Sequence, residues 1–477
     1  MLIFNLIKLL LLFLNSNVIK SDDKLVFLWT HFRHGARAPQ NIDDNYLDLL
    51  GEKWTTPGEL TPGGQRMHFI LGLRNRIRYI TEKKFLDEKF NPHEILIYSS
   101  YFNRTLISAS AQLQGLYPES AGKGDILSQE QEESSYPPLN VDYEEIEEEI
   151  KNLNGYALPN SMMLAPTRMI NQNERKILLF DSKECINKRN EIRSQNREKY
   201  SIFNTLKQEF NDKYREKMNE FLGTNDEELD FSFIDKFCDS FITSYSDKRE
   251  LTEFKKTGLN FEELEIFCHE YYKNMYVYQY SGDEERLLPH VESSKLMSEF
   301  IYYMKKRIDA DINNENIDEL FKDYSRPKMV MLSGHDTTLI AHEMFLIDAL
   351  ELSNDYFRLP YFASQMAFEI TRDENLNSQK DYSNYFVNYY SEDELIFNIS
   401  VEDFIEKVEP HIWNDEKIND FCGFDNDSNI IYAFNKDKND NAKTSYKILM
   451  IIFIVFSFLL LVLSIFLGIK LSKMKKL

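Results

Sequence analysis

The chain has 477 residues, 43% of them hydrophobic, with 78 acidic against 56 basic side chains and a formal net charge of −22. That length and apolar content suffice for a large core and a second subdomain, while so acidic a body argues against a nucleic-acid partner. The four cysteines, Cys185, Cys238, Cys268 and Cys422, show no C-x-x-C spacing of a zinc or redox site; in an oxidising compartment an even count suggests two disulfides, and no metal is assigned.

The chain opens with a leucine-rich segment, Leu2 to Leu14, interrupted by Asn5 and Lys8 and followed by polar residues. This predicts a signal peptide over 1–20, cleaved between Ser16 and Ser21. Lys24 to Trp29 then reads as a buried strand, and it delivers the basic loop Arg33-His34-Gly35-Ala36-Arg37-Ala38-Pro39. Guanidinium groups stay charged and bind oxyanions with a planar fork. Imidazole is a nucleophile or proton carrier near neutral pH, and Gly35 lets the backbone turn tightly and approach a ligand. The loop therefore looks built to hold a tetrahedral oxyanion against a nitrogen nucleophile; a solvated basic turn is the plainer alternative.

Thr61, as a cap, and Pro62, in the first turn, open a helix whose expected apolar face is Met67, Ile70, Leu71, Leu73 and Ile77. Arg74, Arg76 and Arg78 are taken as surface charges. A second strand, Glu94 to Ser100, passes into a helix over Leu106–Leu116, with Arg104 at the junction, where the helix amino terminus favours anions. Residues 120–140 are loop-like, and the glutamate-rich run from Asp142 to Ile150 is a solvated face. From Glu174 to Glu265 the pattern is helical, a cap-like insertion rather than a sheet. Glu285 to Arg307 is a further helix burying Leu296, Phe300, Ile301 and Met304. A third strand, Lys328 to Ser333, ends in Gly334-His335-Asp336-Thr337-Thr338. A His-Asp pair is common; its place at a third strand end is what marks it.

Ile448 to Ile469 is 22 residues without a charge, long enough to span a bilayer. It is followed by Lys470, Lys473, Lys475 and Lys476, a positive flank that belongs in the cytosol. The prediction is a single-pass type I membrane protein with its bulk in the lumen or outside the cell, in a lysosome-like vesicle, at the plasma membrane or in the secretory pathway.

The three junctions together resemble the histidine acid phosphatase family, which includes prostatic and lysosomal acid phosphatases and phytases. The family's Arg-His-Gly-x-Arg-x-Pro matches Arg33 to Pro39, its Asp-Arg-Thr-Leu matches Asn103-Arg104-Thr105-Leu106, and its His-Asp-Thr-Thr matches His335 to Thr338. The first and third motifs, about 300 residues apart in this order, make a specific signal. Weaker echoes are Leu60-Thr61 with Gly64 and a late hairpin around Phe368–Ile370 and Tyr385–Tyr390. The chain departs from the family at Asn103, where Asp is usual, and at Tyr98-Ser99-Ser100, where the family has Arg-Ser-Thr.

The alternation of strands and helices predicts an α/β sandwich with its site at the carboxyl ends of the strands. The resemblance makes this a three-layer α/β/α, phosphoglycerate mutase-like fold with a mostly helical cap. The implied division is a core over 21–140 and 291–424, a cap over 141–290, a linker over 425–447, a span over 448–469 and a tail over 470–477. The resemblance also implies a bridge from Cys185 to Cys422. The family partner of Cys238 falls near Gln365, which leaves Cys238 to pair with Cys268. Asn103 opens a formal glycosylation sequon, but the expected site leaves no room for a glycan there; Asn398 and Asn426 are the better acceptors.

The chemistry implied is phosphate-monoester hydrolysis. Arg33, Arg37, Arg104 and His335 would neutralise and orient the phosphoryl group. His34 would attack phosphorus to give a phosphohistidine, and Asp336, protonated at the start, would supply the leaving group's proton, so that the optimum is acidic. No cofactor is needed, since arginines supply the positive charge. The expected partners are a small phosphate monoester, a membrane through the C-terminal helix and a second copy of the chain as a homodimer. Alternatives on the same fold are a phytase-like inositol-phosphate phosphatase and a lysophosphatidate phosphatase. A phosphoglycerate mutase-like transferase shares the Arg-His-Gly core, but its usual cytosolic setting conflicts with the signal and the anchor. The alternative of a different class is a cell-surface binding protein that has lost catalysis, which a missing site residue would betray.

Overall fold

The computed structural model describes residues 23–40, 56–118, 127–135, 137, 146–156, 158, 166–169, 183–249, 251–281, 287–313, 327–374 and 381–422. The expected signal peptide, Asn426, the membrane span 448–469 and the tail lie outside these residues. No described helix is long and apolar enough to cross a membrane.

A seven-stranded sheet runs in the order β3-β2-β4-β1-β5-β6-β7. Its centre is β1 (Asp23–Arg33), buried from Leu25 to Phe32, paired in parallel with β4 (Met329–Gly334). Beyond β4 lie β2 (Ile95–Ser99) and the two-residue β3 (Arg168–Met169), both parallel. On the other side β5 (Gln365–Asp373), β6 (Tyr385–Ser391) and β7 (Glu394–Ser400) run antiparallel, so the late hairpin extends the sheet. Asn398 is exposed on β7, and its side-chain amide donates to Asn388 Oδ1 at 2.6 Å.

The register sets which strand ends meet. Ser333 of β4 pairs with Phe32 of β1 and with Ser99 of β2, so three parallel strands end at one level. The residues that follow, His34, Ser100 and His335, are thereby brought together.

Helices cover both faces, because β1 alternates between two apolar layers. Leu28 and Phe32 face Ala109, Leu113 and Leu116 of α2 (Asn103–Leu116), together with Tyr79 and Ile80, which follow α1 (Pro62–Arg76). Phe27 and Trp29 pack on Phe300 at 6.3 and 5.6 Å between ring centroids.

The buried face of α1 is Gly64, His68, Gly72 and Asn75, while Ile70 and Ile77 are more than half exposed. The apolar stripe expected from the sequence is therefore wrong. The reason is close packing against α2: a Cβ on Gly72 would collide with the Gln112 carbonyl, and one on Gly115 with the Phe69 carbonyl. Two helices this near bury backbone rather than large side chains. Gly72→Ala is expected to cost about 1–3 kcal/mol as overpacking, seen as a lower denaturation midpoint; an unchanged midpoint would mean the helices can separate freely. Arg78, taken as a surface charge, is also misread. It pairs with the buried Glu369 at 2.7 Å and lies over the Tyr390 ring.

Residues 183–281 build the cap from four long helices, α3 (Lys183–Lys199), α4 (Ser201–Leu222), α5 (Phe231–Ser246) and α6 (Phe261–Ser281). Phe210, Phe237, Phe241, Phe254, Phe267 and Tyr271 form its aromatic core, and Cys238 of α5 is joined to Cys268 of α6. Cys422 is also disulfide-bonded; the side chain of Cys185, its expected partner, lies outside the described residues. Two features stand beside the helices within the mostly helical insertion expected over 141–290. Arg168–Met169 adds a strand beside β2, and the helix crossing residue 290, α7 (Leu287–Ile312), continues into the core. There α7 is followed by β4 and α8 (Asp336–Ala349). Ile340, Met344 and Ile347 of α8 pack with Ile192 of α3 and Tyr280 of α6, joining cap to core. Two short helices, α9 (Val401–Val408) and α10 (Asp415–Cys422), complete the described chain.

Candidate active site

A cleft of about 400 Å³ opens where the three strands end. All six residues expected from the sequence, Arg33, His34, Arg37, Arg104, His335 and Asp336, line it. They come from the end of β1 and the loop after it, from the residue after β4, and from the first turns of α2 and α8.

His34 is fixed by its neighbours. Its backbone N–H donates to the Gly334 carbonyl at 3.1 Å, which ties the end of β1 to the end of β4. Its Nδ1 lies 2.9 Å from the Gly35 carbonyl. A carbonyl only accepts, so Nδ1 carries the proton and Nε2 keeps its lone pair. Burial, reinforced by Arg33, His335, Arg104 and Arg37, holds the imidazole pKa well below its usual value. His34 is thus a neutral imidazole even in mild acid. Gly35 does not occupy the left-handed region. Its lack of a side chain serves a different end, since a Cβ there would strike the backbone of Gly64 at the start of α1. The basic loop is seated against that helix.

The three guanidiniums are anchored separately. Arg33 pairs with Asp336 at 2.8 Å, donates to the Pro360 carbonyl at 2.8 Å and lies over the Phe362 ring. Arg37 pairs with Asp239 at 2.9 Å. Arg104 donates to two uncharged acceptors, the Gly58 carbonyl and His335 Nδ1, at 3.4 and 3.5 Å. Burial and the nearby Arg37 bring the Arg104 pKa down to about 10. Among the described residues, the buried Nε–H groups of Arg33, Arg37 and Arg104 have no hydrogen-bond partner. Each unmet donor costs about 1–3 kcal/mol, a cost that an oxyanion in the cleft is suited to relieve.

His335 is held by a directed chain. Thr105 Oγ1 donates to backbone carbonyls, so Ser100 Oγ donates to Thr105 and accepts from His335 Nε2, at 2.8 and 2.9 Å. His335 therefore carries its proton on Nε2 and turns a lone pair on Nδ1 towards Arg104. Burial, with Arg104, lowers its pKa to about 3. The sequence-based picture of His335 as a neutralising cation is corrected for the free site: it is an uncharged ring.

Asp336 opens α8, with Oδ1 accepting from the Thr337 N–H at 2.8 Å. Against the opposing effect of burial, Arg33 and Arg37 hold its carboxyl below the usual range. The free site therefore holds a carboxylate, not the protonated acid expected from the sequence.

The cap supplies a wall that the sequence did not disclose. Asp239 of α5 accepts from Arg37 and from the Gln40 N–H. Arg197 of α3 also lines the cleft and is held by Asp235 at 2.8 Å. His269 and Tyr272 of α6, with Phe102, Tyr361 and Phe362, complete the rim. The one sequence signal was that Asp235 and Asp239 stand four apart on the aromatic-rich helix α5, which puts both carboxylates on one face.

The family model of the histidine phosphatase superfamily (branch 2) matches residues 24–391. Lysosomal acid phosphatase of Xenopus laevis is 40% identical over 116 residues, 24% of this chain and 26% of that protein. Testicular acid phosphatase of Homo sapiens is 39% identical over 119 residues, 24% and 27% of the two chains, and human prostatic acid phosphatase 38% over 112 residues, 23% and 27%. The chain spans about a quarter of the length of these relatives. Among solved structures, the phytase from Citrobacter braakii aligns with a TM-score of 0.47 at 14% identity, over 77% of this chain and 84% of that one.

Proposed function

The chain belongs to the histidine phosphatase superfamily, branch 2, and from there we propose that it is an acid phosphatase acting through a phosphohistidine on His34. The observation that carries this is the Nδ1–H bond of His34 to the Gly35 carbonyl. It leaves Nε2 as a neutral nucleophile on the wall of a cleft that three arginines line.

In the first step the Nε2 lone pair forms a bond to phosphorus as the bond to the ester oxygen breaks. Arg33, Arg37 and Arg104 take up the charge on the phosphoryl oxygens, and Asp336 gives a proton to the departing oxygen. In the second step water attacks phosphorus, Asp336 takes a proton from it, and the N–P bond breaks to restore His34. Because Asp336 is a carboxylate in the free site, its proton arrives with the substrate: a phosphate monoester is a monoanion below its second pKa, about 6. Once bound, its charge offsets the arginines that hold the Asp336 carboxyl down, and the proton can pass across. For His335 to donate to the phosphate, Nδ1 must gain a proton too, which also favours acid.

The wall supports a substrate class. Beyond the three arginines the cap presents Asp235 and Asp239, and its Arg197 is already paired. Those pairs leave a second phosphate on the same substrate no unpaired cap arginine among the described residues to bind, which supports a monoester with one phosphate and an apolar or aromatic body resting on Phe102, Tyr272 and Phe362. Rates on an aryl phosphate and on phytate test this. The expected kcat/KM is at least about tenfold higher for the aryl ester, one lost charge contact being worth about 1.5–3 kcal/mol; a preference for phytate would transfer the assignment to the inositol-phosphate alternative. The leader-like 1–20 and the apolar 448–469 support a catalytic unit in the lumen or outside the cell, anchored by one helix.

A further inference from the structure

Away from the cleft, three elements meet at His290, Asp348 and His411. His290 lies in the first turn of α7, Asp348 in the last turn of α8, and His411 closes a short turn after α9. None of the three lines the catalytic cleft.

The hydrogen bonds pose an electrostatic problem. His290 Nδ1 lies 2.9 Å from the His411 carbonyl, an acceptor only, so Nδ1 bears the proton. Nε2 then turns a lone pair towards Asp348 Oδ2 at 2.9 Å. Two electron-rich atoms at that distance need a positive species between them, either a second proton on His290 or a metal ion. A third donor separates the two. His411 Nδ1 lies 3.9 Å from the same Asp348 oxygen, and the three ligand atoms all fall within 4.8 Å of one another. A proton shared by His290 and Asp348 does not by itself call for a second imidazole beside the same oxygen. A metal ion does: ligands at about 2.0–2.1 Å around a tetrahedral centre stand about 3.3 Å apart, between the spacings seen here.

We propose that His290 Nε2, Asp348 Oδ2 and His411 Nδ1 form a structural site for a divalent transition metal, zinc above all. Two imidazoles and one carboxylate suit zinc, with water as the fourth ligand. The outer shell is already in place. The His411 carbonyl fixes the His290 tautomer, as backbone carbonyls do for metal-bound histidines. The Trp413 indole stacks on the His290 ring at 5.9 Å and 6°, and Ser294 Oγ accepts from the Trp413 backbone N–H at 2.8 Å. The ion would pin the far end of α8, the helix whose first residue is Asp336, to α7 and to the turn after α9.

The test uses the full chain, stripped with a chelator and dialysed. Zinc titrated against a chromophoric competitor is expected to bind with one ion per chain at micromolar concentration and to raise the melting temperature. Co2+ in its place should show the visible bands of a four-coordinate centre. His411→Ala, at a partly exposed position, and Asp348→Asn should each weaken binding by about 100-fold or more, the upper range for loss of even an outer-shell partner, and should abolish the zinc-dependent melting shift. Hydrolysis of an aryl phosphate by the stripped protein should stay within about twofold of the zinc-loaded form, since the ion would stand apart from the cleft. No zinc uptake at micromolar concentration would overturn the proposal in favour of a plain imidazolium–carboxylate pair. Uptake unchanged in both variants would overturn it too, as would uptake lost in His34→Ala, which would place the ion in the catalytic cleft. If His411→Ala does not fold, His411→Gln, which keeps the bulk of the side chain, gives the same reading.

Discussion

Replacing His34 by alanine is expected to abolish turnover, with a loss of about 10⁵–10⁶ in kcat, the scale seen when a covalent nucleophile is removed. The adjacent imidazole is not free to substitute. His335 faces His34 with ring centroids 5.5 Å apart, but its Nε2 proton is committed to Ser100 and its Nδ1 to Arg104. The fold should survive, because the lost Nδ1 bond is worth about 1 kcal/mol, and a circular dichroism spectrum matching that of the parent would show it. Rapid quenching of the parent protein with a labelled ester should trap phosphate on a nitrogen, as an adduct labile in acid and stable in alkali. Substantial activity in a folded His34→Ala protein would remove the nucleophile assignment.

The second large effect is at Asp336. Asp336→Ala should lower kcat on an alkyl phosphate by about 10²–10⁴, the usual worth of a positioned proton donor. The loss should be much smaller on a nitrophenyl ester, whose leaving group departs without a proton. Equal losses on both esters would mean that Asp336 acts only by orienting Arg33. The pH profile carries a sign. His34 has its pKa depressed, so it stays unprotonated and nucleophilic as pH falls through its ordinary value of 6.5. The Asp336 carboxyl is held low in the free protein, so its proton must come from the substrate monoanion. In the parent, kcat/KM should therefore decline as pH rises through about 6, where that monoanion is lost. In Asp336→Ala the same decline should flatten. A maximum above neutrality would contradict the proton path.

Local chemistry wrote the three strand-to-loop junctions plainly. A strand buried on both faces must be a continuous apolar run, so Lys24–Trp29, Glu94–Ser100 and Lys328–Ser333 stood out, and the charged residues placed directly after such runs had nowhere to go but the strand ends. His34, Arg104 and His335 were legible for that reason, as was the helical character of residues 183–281. What was misread involves surfaces that meet across the chain. The apolar stripe of α1 gave way to a glycine contact, because Gly72 and Gly115 let two backbones meet where side-chain periodicity assumes a layer of hydrocarbon. Arg78 sank onto Glu369 of β5, 291 positions away.

The same division holds within the site. The chemical character of the cleft's side chains was present in the one-dimensional string, since Arg, His and Asp bring their chemistry with them. Their protonation states were not. A charge is set by burial and by every other charge within a few ångströms, and those neighbours are chosen only when β1, β2 and β4 align in register and α5 brings Asp239 to Arg37. Hence the string could name His335 and Asp336 as site residues, while the folded chain alone decided that in the free site one is a neutral ring and the other a carboxylate.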